Sequence, residues 1–90
     1  MKITYDPAKR DKTLDERGLD FLCAPKVFAS EHYTRQDERK DYGEPRFITI
    51  GLLDKRMVVM VWTPRDSARH IISLRKANER EQARYQAYLD

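Results

Sequence analysis

Residues 46–76 read RFITIGLLDKRMVVMVWTPRDSARHIISLRK, and this stretch predicts the centre of a β-sheet. The segments 46–53, 57–63 and 69–75 are rich in β-branched and aromatic residues, and short polar turns separate them. Because such short turns join antiparallel neighbours, we expect three hairpin-connected strands. The middle segment is apolar on both of its faces, which indicates a central strand that is covered from both sides.

The residues before this stretch predict two helices and two short strands. Asp6-Pro7 is a helix start, and Gly18 is well placed to follow the end of that helix, which we expect over 7–17. Asp20 is a second cap, and the apolar residues at 21, 24, 27 and 28 form one buried helical stripe. Further strands are expected at 2–5 and 32–36, and a mobile loop at 37–45.

A C-terminal helix is predicted from Asn78, which has the spacing of a capping box with Glu81. Its buried stripe contains Ala77, Glu81, Tyr85 and Leu89. The order of elements predicts the α+β class, with a small antiparallel β-sheet, two N-terminal helices and one C-terminal helix. We expect a single domain over residues 1–90, with the helices packed mainly on one face of the sheet.

Composition narrows the class of protein. The chain has 90 residues and one cysteine, Cys23, so it forms no internal disulfide, and this cysteine usage suits a reducing cytoplasm. No apolar run reaches the length of about 18 residues that a membrane span needs, and the N-terminus lacks the apolar core of a signal peptide. We therefore expect a cytoplasmic protein without a membrane partner.

The positive charge is concentrated in the C-terminal half. The chain has a net charge of +3, but residues 46–90 carry nine Lys and Arg against five Asp and Glu. Between positions 56 and 76 only Asp66 is acidic, whereas five residues are cationic: Arg56, Arg65, Arg69, Arg75 and Lys76. Such a local excess attracts polyanions, and RNA is the substrate that we expect. A solvated basic surface is the alternative.

The strand at 69–76 carries the predicted chemistry. Strict alternation places Arg69, Ile71, Ser73 and Arg75 on one face and His70, Ile72, Leu74 and Lys76 on the other. Arg75 and Ser73 would then be neighbours, and a guanidinium and a hydroxyl are both suitable donors to a phosphate oxygen. Alternatively, Arg75 pairs with Glu81 and His70 is an ordinary edge residue.

Metal and cofactor chemistry is not expected. His32 and His70 are far apart, no carboxylate has ligand spacing from either, and no glycine-rich phosphate loop is present. Metal-independent RNA cleavage needs no nucleophile from the protein, because the attacking 2′-hydroxyl belongs to the RNA. The site must then supply a base, an acid and cations for the charge that develops on the phosphate.

Two residues have two interpretations each. Glu81 completes the capping box and could pair with an arginine, yet a carboxylate that faces the sheet could also be a general base with a shifted pKa. Trp62 lies next to the basic turn and could stack on an RNA base, or it could be buried beneath a helix.

Several motifs together resemble the BrnT family of bacterial toxins. They are EPRFITIG, MVVMVWT, and RHIISLRKA followed by Glu81 and Tyr85, with YDPAK at 5–9 and the F-x-x-A-x-x-VF run at 21–28. The resemblance implies a ribonuclease toxin of a type II toxin–antitoxin pair with a RelE/ParE-like fold. It also implies a BrnA-like antitoxin partner, through which alone the complex would bind operator DNA.

The resemblance also extends to individual residues. The residues that fall on the family pattern are Arg46, Thr63, Ser73, Arg75, Ala77, Glu81 and Tyr85. The usual Asn-x-x-Lys-His-Gly of the first helix is represented by Thr13, Glu16, Arg17 and Gly18, so Arg17 replaces a histidine and cannot transfer a proton in its place. A catalytically inactive toxin-like binding module that acts in an antitoxin and DNA regulatory complex is therefore the alternative function.

The predicted site follows from the residues and the resemblance together. The candidate catalytic residues are Arg75, Glu81, Ser73, Tyr85 and His70. The candidate RNA-binding residues are Arg65, Arg69, Lys76, Arg46 and Trp62.

Overall fold

The computed structural model describes residues 1–89, which form one five-stranded sheet and three helices. The strands are arranged in the order β1-β5-β4-β3-β2. The elements in chain order are β1 Ile3–Tyr5, α1 Pro7–Arg17, a 3₁₀ turn Phe21–Cys23, α2 Ala24–Ala29, β2 Tyr33–Gln36, β3 Phe47–Leu53, β4 Arg56–Arg65, β5 Ala68–Lys76 and α3 Glu79–Leu89. The α+β class and the predicted order of elements are confirmed.

The sheet is mixed, so the prediction of an antiparallel sheet is wrong for one strand. β2, β3, β4 and β5 pair antiparallel, but β1 pairs parallel with β5, with Ile3 opposite Arg69 and Tyr5 opposite Ile71. No hairpin fixes the relative direction of β1 and β5, because most of the chain lies between them. The direction of β1 is therefore a tertiary outcome that local sequence does not encode.

Tight turns join the three central strands. Asp54 and Lys55 connect β3 to β4, and Asp66 and Ser67 connect β4 to β5. All four residues have positive φ, between 47° and 67°, as in the type I′ turns whose twist matches that of antiparallel strands. The turns are shorter than the predicted polar segments, so β4 and β5 extend into them.

The helices cover both faces of the sheet, which corrects the prediction that they pack mainly on one. On one face, here called the α1/α2 face, Phe21 and Val27 are buried against Met60 and Trp62 of β4. On the opposite face, the α3 face, Tyr85 and Leu89 pack with a second group of buried residues: Ile48, Ile50, Met57, Val59 and Ala77. Since β4 is apolar on both sides, a helix on one face alone would leave half of its apolar surface in water.

A β-bulge in β5 changes which residues share a face. Val61 is opposite Ser73 and Trp62 is opposite Ile71, which leaves Ile72 without a partner in β4. Ile71 and Leu74 are consequently both fully buried on the α1/α2 face. The prediction that Arg69, Ile71, Ser73 and Arg75 share one face is wrong, because strict alternation holds only on either side of the bulge. Paired residues point to the same face, so Ser73 and Arg75 lie on the α3 face with Val61 and Val59.

Helix α1 is held to the edge of the sheet by polar contacts. None of its residues is buried, although it begins with the Asp6 cap and ends at Gly18 as predicted. The guanidinium of Arg10 donates two hydrogen bonds to Asp20, both of 2.9 Å, and Arg17 donates one to the carbonyl oxygen of Leu74 at 3.0 Å. The core therefore forms without any buried side chain from this helix.

Candidate functional site

A cleft of about 300 Å³ lies on the α3 face, between α3 and the arginines of β2 and the loop that follows it. Ile48, Ile50, Val59 and Val61 form its apolar floor. Polar and aromatic residues from four parts of the chain form its walls: Arg35, Arg39, Ser73, Arg75, Glu81 and Tyr85. Four of the five predicted catalytic residues are thus brought together.

Arg75 and Glu81 form a bidentate ion pair at one end of the cleft. Nη1 and Nη2 of Arg75 donate to the two carboxylate oxygens of Glu81 at 2.7 Å and 2.8 Å. The capping box is present as well: the Asn78 amide donates to Glu81 Oε1 at 3.0 Å, and the Glu81 amide donates to Asn78 Oδ1 at 2.8 Å. These contacts fix the Arg75 guanidinium relative to helix α3.

The same contacts set the protonation of Glu81. Hydrogen bonds from Arg75 are the main cause that lowers the pKa of Glu81 to about 2, against a smaller opposing effect of burial. The carboxylate is therefore ionised at neutral pH and accepts protons poorly. Of the two interpretations of Glu81, this geometry favours the structural one, in which the carboxylate caps helix α3 and pairs with Arg75, over a role as general base.

Ser73 and Arg35 line the cleft with unoccupied donors. Within residues 1–89, neither the hydroxyl of Ser73 nor the guanidinium of Arg35 has a hydrogen-bond or ion-pair partner. Arg35 pairs with Ile48 of β3 and lies two residues after Tyr33 in β2, so the side chains of all three residues are on the α3 face. Sequence reasoning missed Arg35, although the alternation of Tyr33 and Arg35 in the short strand would have indicated its direction.

Arg39 reaches the cleft from the loop at 37–45, which the sequence predicted only as mobile. Its guanidinium donates to both carboxylate oxygens of Asp37 at 2.8 Å. Asp37 is buried and accepts a further hydrogen bond from the Tyr42 hydroxyl at 3.1 Å. These hydrogen bonds, led by those from Arg39, hold the pKa of Asp37 well below its usual range. No local pattern indicates this contact, so Arg39 could not be identified from the sequence.

His70 is on the α3 face but outside the cleft lining. It lies opposite Thr63, and its Nδ1 is 2.8 Å from the hydroxyl of Thr4 in β1. Burial, followed by the positive charge of Arg65, lowers the pKa of His70 below 6.5. The imidazole is therefore largely neutral at pH 7. Because of the bulge, His70 and Ser73 lie on the same face, whereas strict alternation predicted opposite faces.

Arg65 and Arg46 are near one another at the end of the sheet that His70 occupies. Arg65 donates to both carboxylate oxygens of Glu44 at 3.1 Å. The Arg46 guanidinium lies 4.1 Å from the centre of the Tyr42 ring, and its Nε is buried 4.0 Å from Glu44 without a hydrogen bond. Arg65 and Arg46 thus lie beyond the cleft, Arg65 exposed and Arg46 half-buried, and both have Glu44 as an acidic neighbour.

The other predicted RNA-binding residues are not part of the cleft. Arg69 is on the α1/α2 face, with its guanidinium 4.0 Å from the centre of the Phe28 ring. Lys76 is opposite Val58 and exposed at the far end of β5. Trp62 is buried, donates from Nε1 to the Thr49 hydroxyl at 2.8 Å and stacks on Phe47. A ring in this environment has no open face for a nucleotide base, which favours the core interpretation of Trp62.

Comparison with known proteins identifies the family. Residues 5–81 match the family model described as the ribonuclease toxin BrnT of type II toxin–antitoxin systems. The chain belongs to the BrnT family. No curated protein matches the chain significantly. A BrnT toxin is an endoribonuclease and has a cognate antitoxin, so the predicted activity and the class of its partner are confirmed.

The BrnT match covers most of the cleft. Ser73, Arg75 and Glu81 are inside the matched residues, and Tyr85 is beyond them. In residues 1–89 no three His, Cys, Asp or Glu side chains are close enough to hold a metal ion. No helix in the same part of the chain is long and apolar enough to cross a membrane. The roles of individual residues in this BrnT toxin remain predictions.

Proposed function

We propose that the cleft on the α3 face is the site at which this BrnT toxin cleaves RNA without a metal ion. The observation that carries the proposal is the position of Arg75 and Ser73, side by side on the α3 face above an apolar floor, with Arg35 and Arg39 opposite. Arginines and a hydroxyl donate to phosphate oxygens, and an apolar floor accepts a base or a ribose.

The reaction would use the 2′-hydroxyl of the RNA as the nucleophile. Its oxygen attacks the adjacent phosphorus while the bond to the 5′-oxygen breaks, which leaves a 2′,3′-cyclic phosphate and a 5′-hydroxyl. Arg75 and Ser73 stabilise the charge on the phosphate oxygens. His70, which neighbours Ser73 on the α3 face and is largely neutral at pH 7, accepts the 2′-hydroxyl proton, and the hydroxyl of Tyr85, which lines the cleft, donates a proton to the leaving oxygen.

The test is cleavage of single-stranded RNA by the purified toxin in excess EDTA. Arg75→Ala should lower the rate by about 10²–10³-fold, as the loss of a group that stabilises transition-state charge typically does. Arg80→Ala is the matched control, because Arg80 is an exposed arginine on α3. Equal rates for the Arg75→Ala and wild-type proteins, or loss of all activity in EDTA, would reject the proposal.

The role of His70 has its own pH-dependent test. If His70 is the base, the cleavage rate should rise with pH, and the midpoint of that rise should lie below the ordinary pKa of a histidine because burial lowers the pKa of His70. His70→Gln should abolish that rise, whereas His32→Gln should not, since His32 is exposed and bonds to the Ser30 carbonyl. An unchanged profile in His70→Gln would assign the base to another residue.

The alternative is a toxin-like binding module without catalysis. Two observations favour it: Glu81 occupies two donors of Arg75, and Arg17, at the position of a family histidine, binds the Leu74 carbonyl. It predicts wild-type protein that binds its antitoxin but cleaves no RNA. We further propose a BrnA-like antitoxin, operator binding only through that antitoxin, a RelE/ParE-like fold and a cytoplasmic location. Repression of the operon by toxin without antitoxin would contradict this arrangement.

A further inference from the structure

A second basic depression adjoins the cleft, on the other side of β5. This α1 groove, of about 240 Å³, is lined by Lys9, Lys12, Glu16 and Arg17 of α1 and by Ile72 and Ser73 of β5. Ser73 also lines the cleft. The two depressions therefore meet at one residue.

The groove exists because β5 lacks a strand neighbour on this side after its first residues. β1 pairs with Arg69, His70 and Ile71 only, and from Ile72 onward α1 lies beside β5 instead. The bulge at Ile72 is at the point where β1 ends. A strand edge that would otherwise be available for pairing is thus covered by a helix, with a hydroxyl at the junction.

The two lysines of the groove are available to a ligand. Lys9 and Lys12 are exposed and one helical turn apart, so they are neighbours on one side of α1. Within residues 1–89 neither forms an ion pair, whereas Arg10 of the same helix is paired with Asp11 and Asp20. Because α1 buries no side chain, packing of the core does not account for these lysines.

We infer that the α1 groove binds the sugar-phosphate backbone of single-stranded RNA that continues from the cleft across Ser73. This inference rests on the proposed function of the cleft. Each depression has three cations and one anion among its lining residues, so a polyanion is favoured along both. An RNA strand has evenly spaced phosphates, which suits two basic depressions joined at a hydrogen-bond donor better than a compact ligand does.

The inference is tested with two RNAs of different length that the toxin cannot cleave. A trinucleotide fills the cleft alone, and an RNA of about 12 nucleotides, within the range that single-strand binding surfaces cover, also reaches the groove. Both carry 2′-O-methyl groups and fluorescein, and fluorescence anisotropy measures their binding. Lys9→Gln/Lys12→Gln should lower the affinity ratio of long to short RNA by about 10-fold. The slope of the logarithm of the binding constant against the logarithm of the salt concentration, measured for the long RNA, should become shallower by about 0.7 per lost phosphate contact.

The matched control is Lys26→Gln/Lys55→Gln, which removes the same charge from exposed positions outside both depressions. An equal loss in both double variants would mean a general charge effect and would overturn the inference. An unchanged length ratio with weakened antitoxin binding would assign the groove to the antitoxin instead. In either of these cases the proposed function of the cleft still holds if Arg75→Ala reduces RNA cleavage. Failure of the wild-type protein to bind either RNA would reject the cleft and the groove together.

Discussion

The ion pair between Glu81 and Arg75 makes a prediction whose size can be worked from the structure. Glu81→Gln keeps the shape of the side chain and the acceptor oxygen for the Asn78 amide, but it removes the charge that Arg75 contacts through two hydrogen bonds. The pKa of Glu81 falls from 4.5 to about 2, and that difference corresponds to roughly 3 kcal/mol. Because the Arg75 side chain is 44% exposed, solvent screening reduces the expected loss of stability to about 1–2 kcal/mol.

The pH dependence of this loss has a definite sign. The folded state lowers the pKa of Glu81, so its contribution to stability is fully present above about pH 4.5 and disappears as the pH falls towards 2. Urea unfolding followed by the fluorescence of Trp62, the one tryptophan of the chain, measures it at pH 7 and pH 3. The deficit of Glu81→Gln relative to the wild-type protein should shrink by more than half at pH 3.

Glu79→Gln is the control, because Glu79 is in the same helical turn, is exposed and contributes a comparable charge to the helix N-terminus. A deficit in Glu81→Gln no larger than that in Glu79→Gln would refute the reasoning. So would an equal deficit at pH 7 and pH 3. If Glu81→Gln also cleaves RNA at the wild-type rate, the carboxylate only stabilises the fold, whereas a folded but inactive variant would mean that cleavage requires the carboxylate, either to position Arg75 or as a base.

Three further perturbations follow from the packing. Trp62→Ala should cost about 3–5 kcal/mol in urea unfolding monitored by circular dichroism, since it empties a buried site between Phe28 and Phe47; normal stability with lost RNA binding would make Trp62 a stacking residue. Arg17→Gln should lower the free energy of unfolding by about 1 kcal/mol, because it removes the hydrogen bond to the Leu74 carbonyl; an unchanged midpoint of urea unfolding would mean that this contact does not stabilise the position of α1. Saturating antitoxin should raise the melting temperature, because it binds the folded toxin; the same temperature with and without antitoxin would contradict this.

Local sequence predicted most of the elements because their signals are short in range. Asp6-Pro7 and Gly18 bound α1, and the Asn78 and Glu81 pair opens α3, as their patterns indicate. Two features depend on contacts between distant segments. The parallel pairing of β1 with β5 and the position of α3 on the opposite face from α2 were both predicted wrongly. Neither one is encoded within a window of a few residues.

The candidate site was predicted in part for the same reason. The four predicted catalytic residues that line the cleft belong to β5 and α3, two consecutive elements whose strand and helix periodicities are readable in the sequence: Ser73, Arg75, Glu81 and Tyr85. Arg69 was assigned to their face because alternation was assumed to continue through Ile72, where the bulge interrupts it. Arg39 reaches the cleft through its pairing with Asp37 in an irregular loop, and no periodicity describes such a loop.

The extra residue in β5 makes this strand unequally tolerant of two kinds of genetic change. Ile72 is only half-buried, so replacing its side chain should be inexpensive. Deleting this codon should be tolerated as well, because Ile72 has no partner in β4 and its loss leaves Ile71 and Leu74 on one face and Ser73 and Arg75 on the other in regular alternation. Inserting one residue here is different. Either a second residue is left without a partner, or the side chains beyond the insertion change face, which turns Leu74 into water and Arg75 beneath the helices of the opposite face. Shortening β5 by this residue should therefore preserve the toxin fold, while lengthening it at the same point should destabilise the fold.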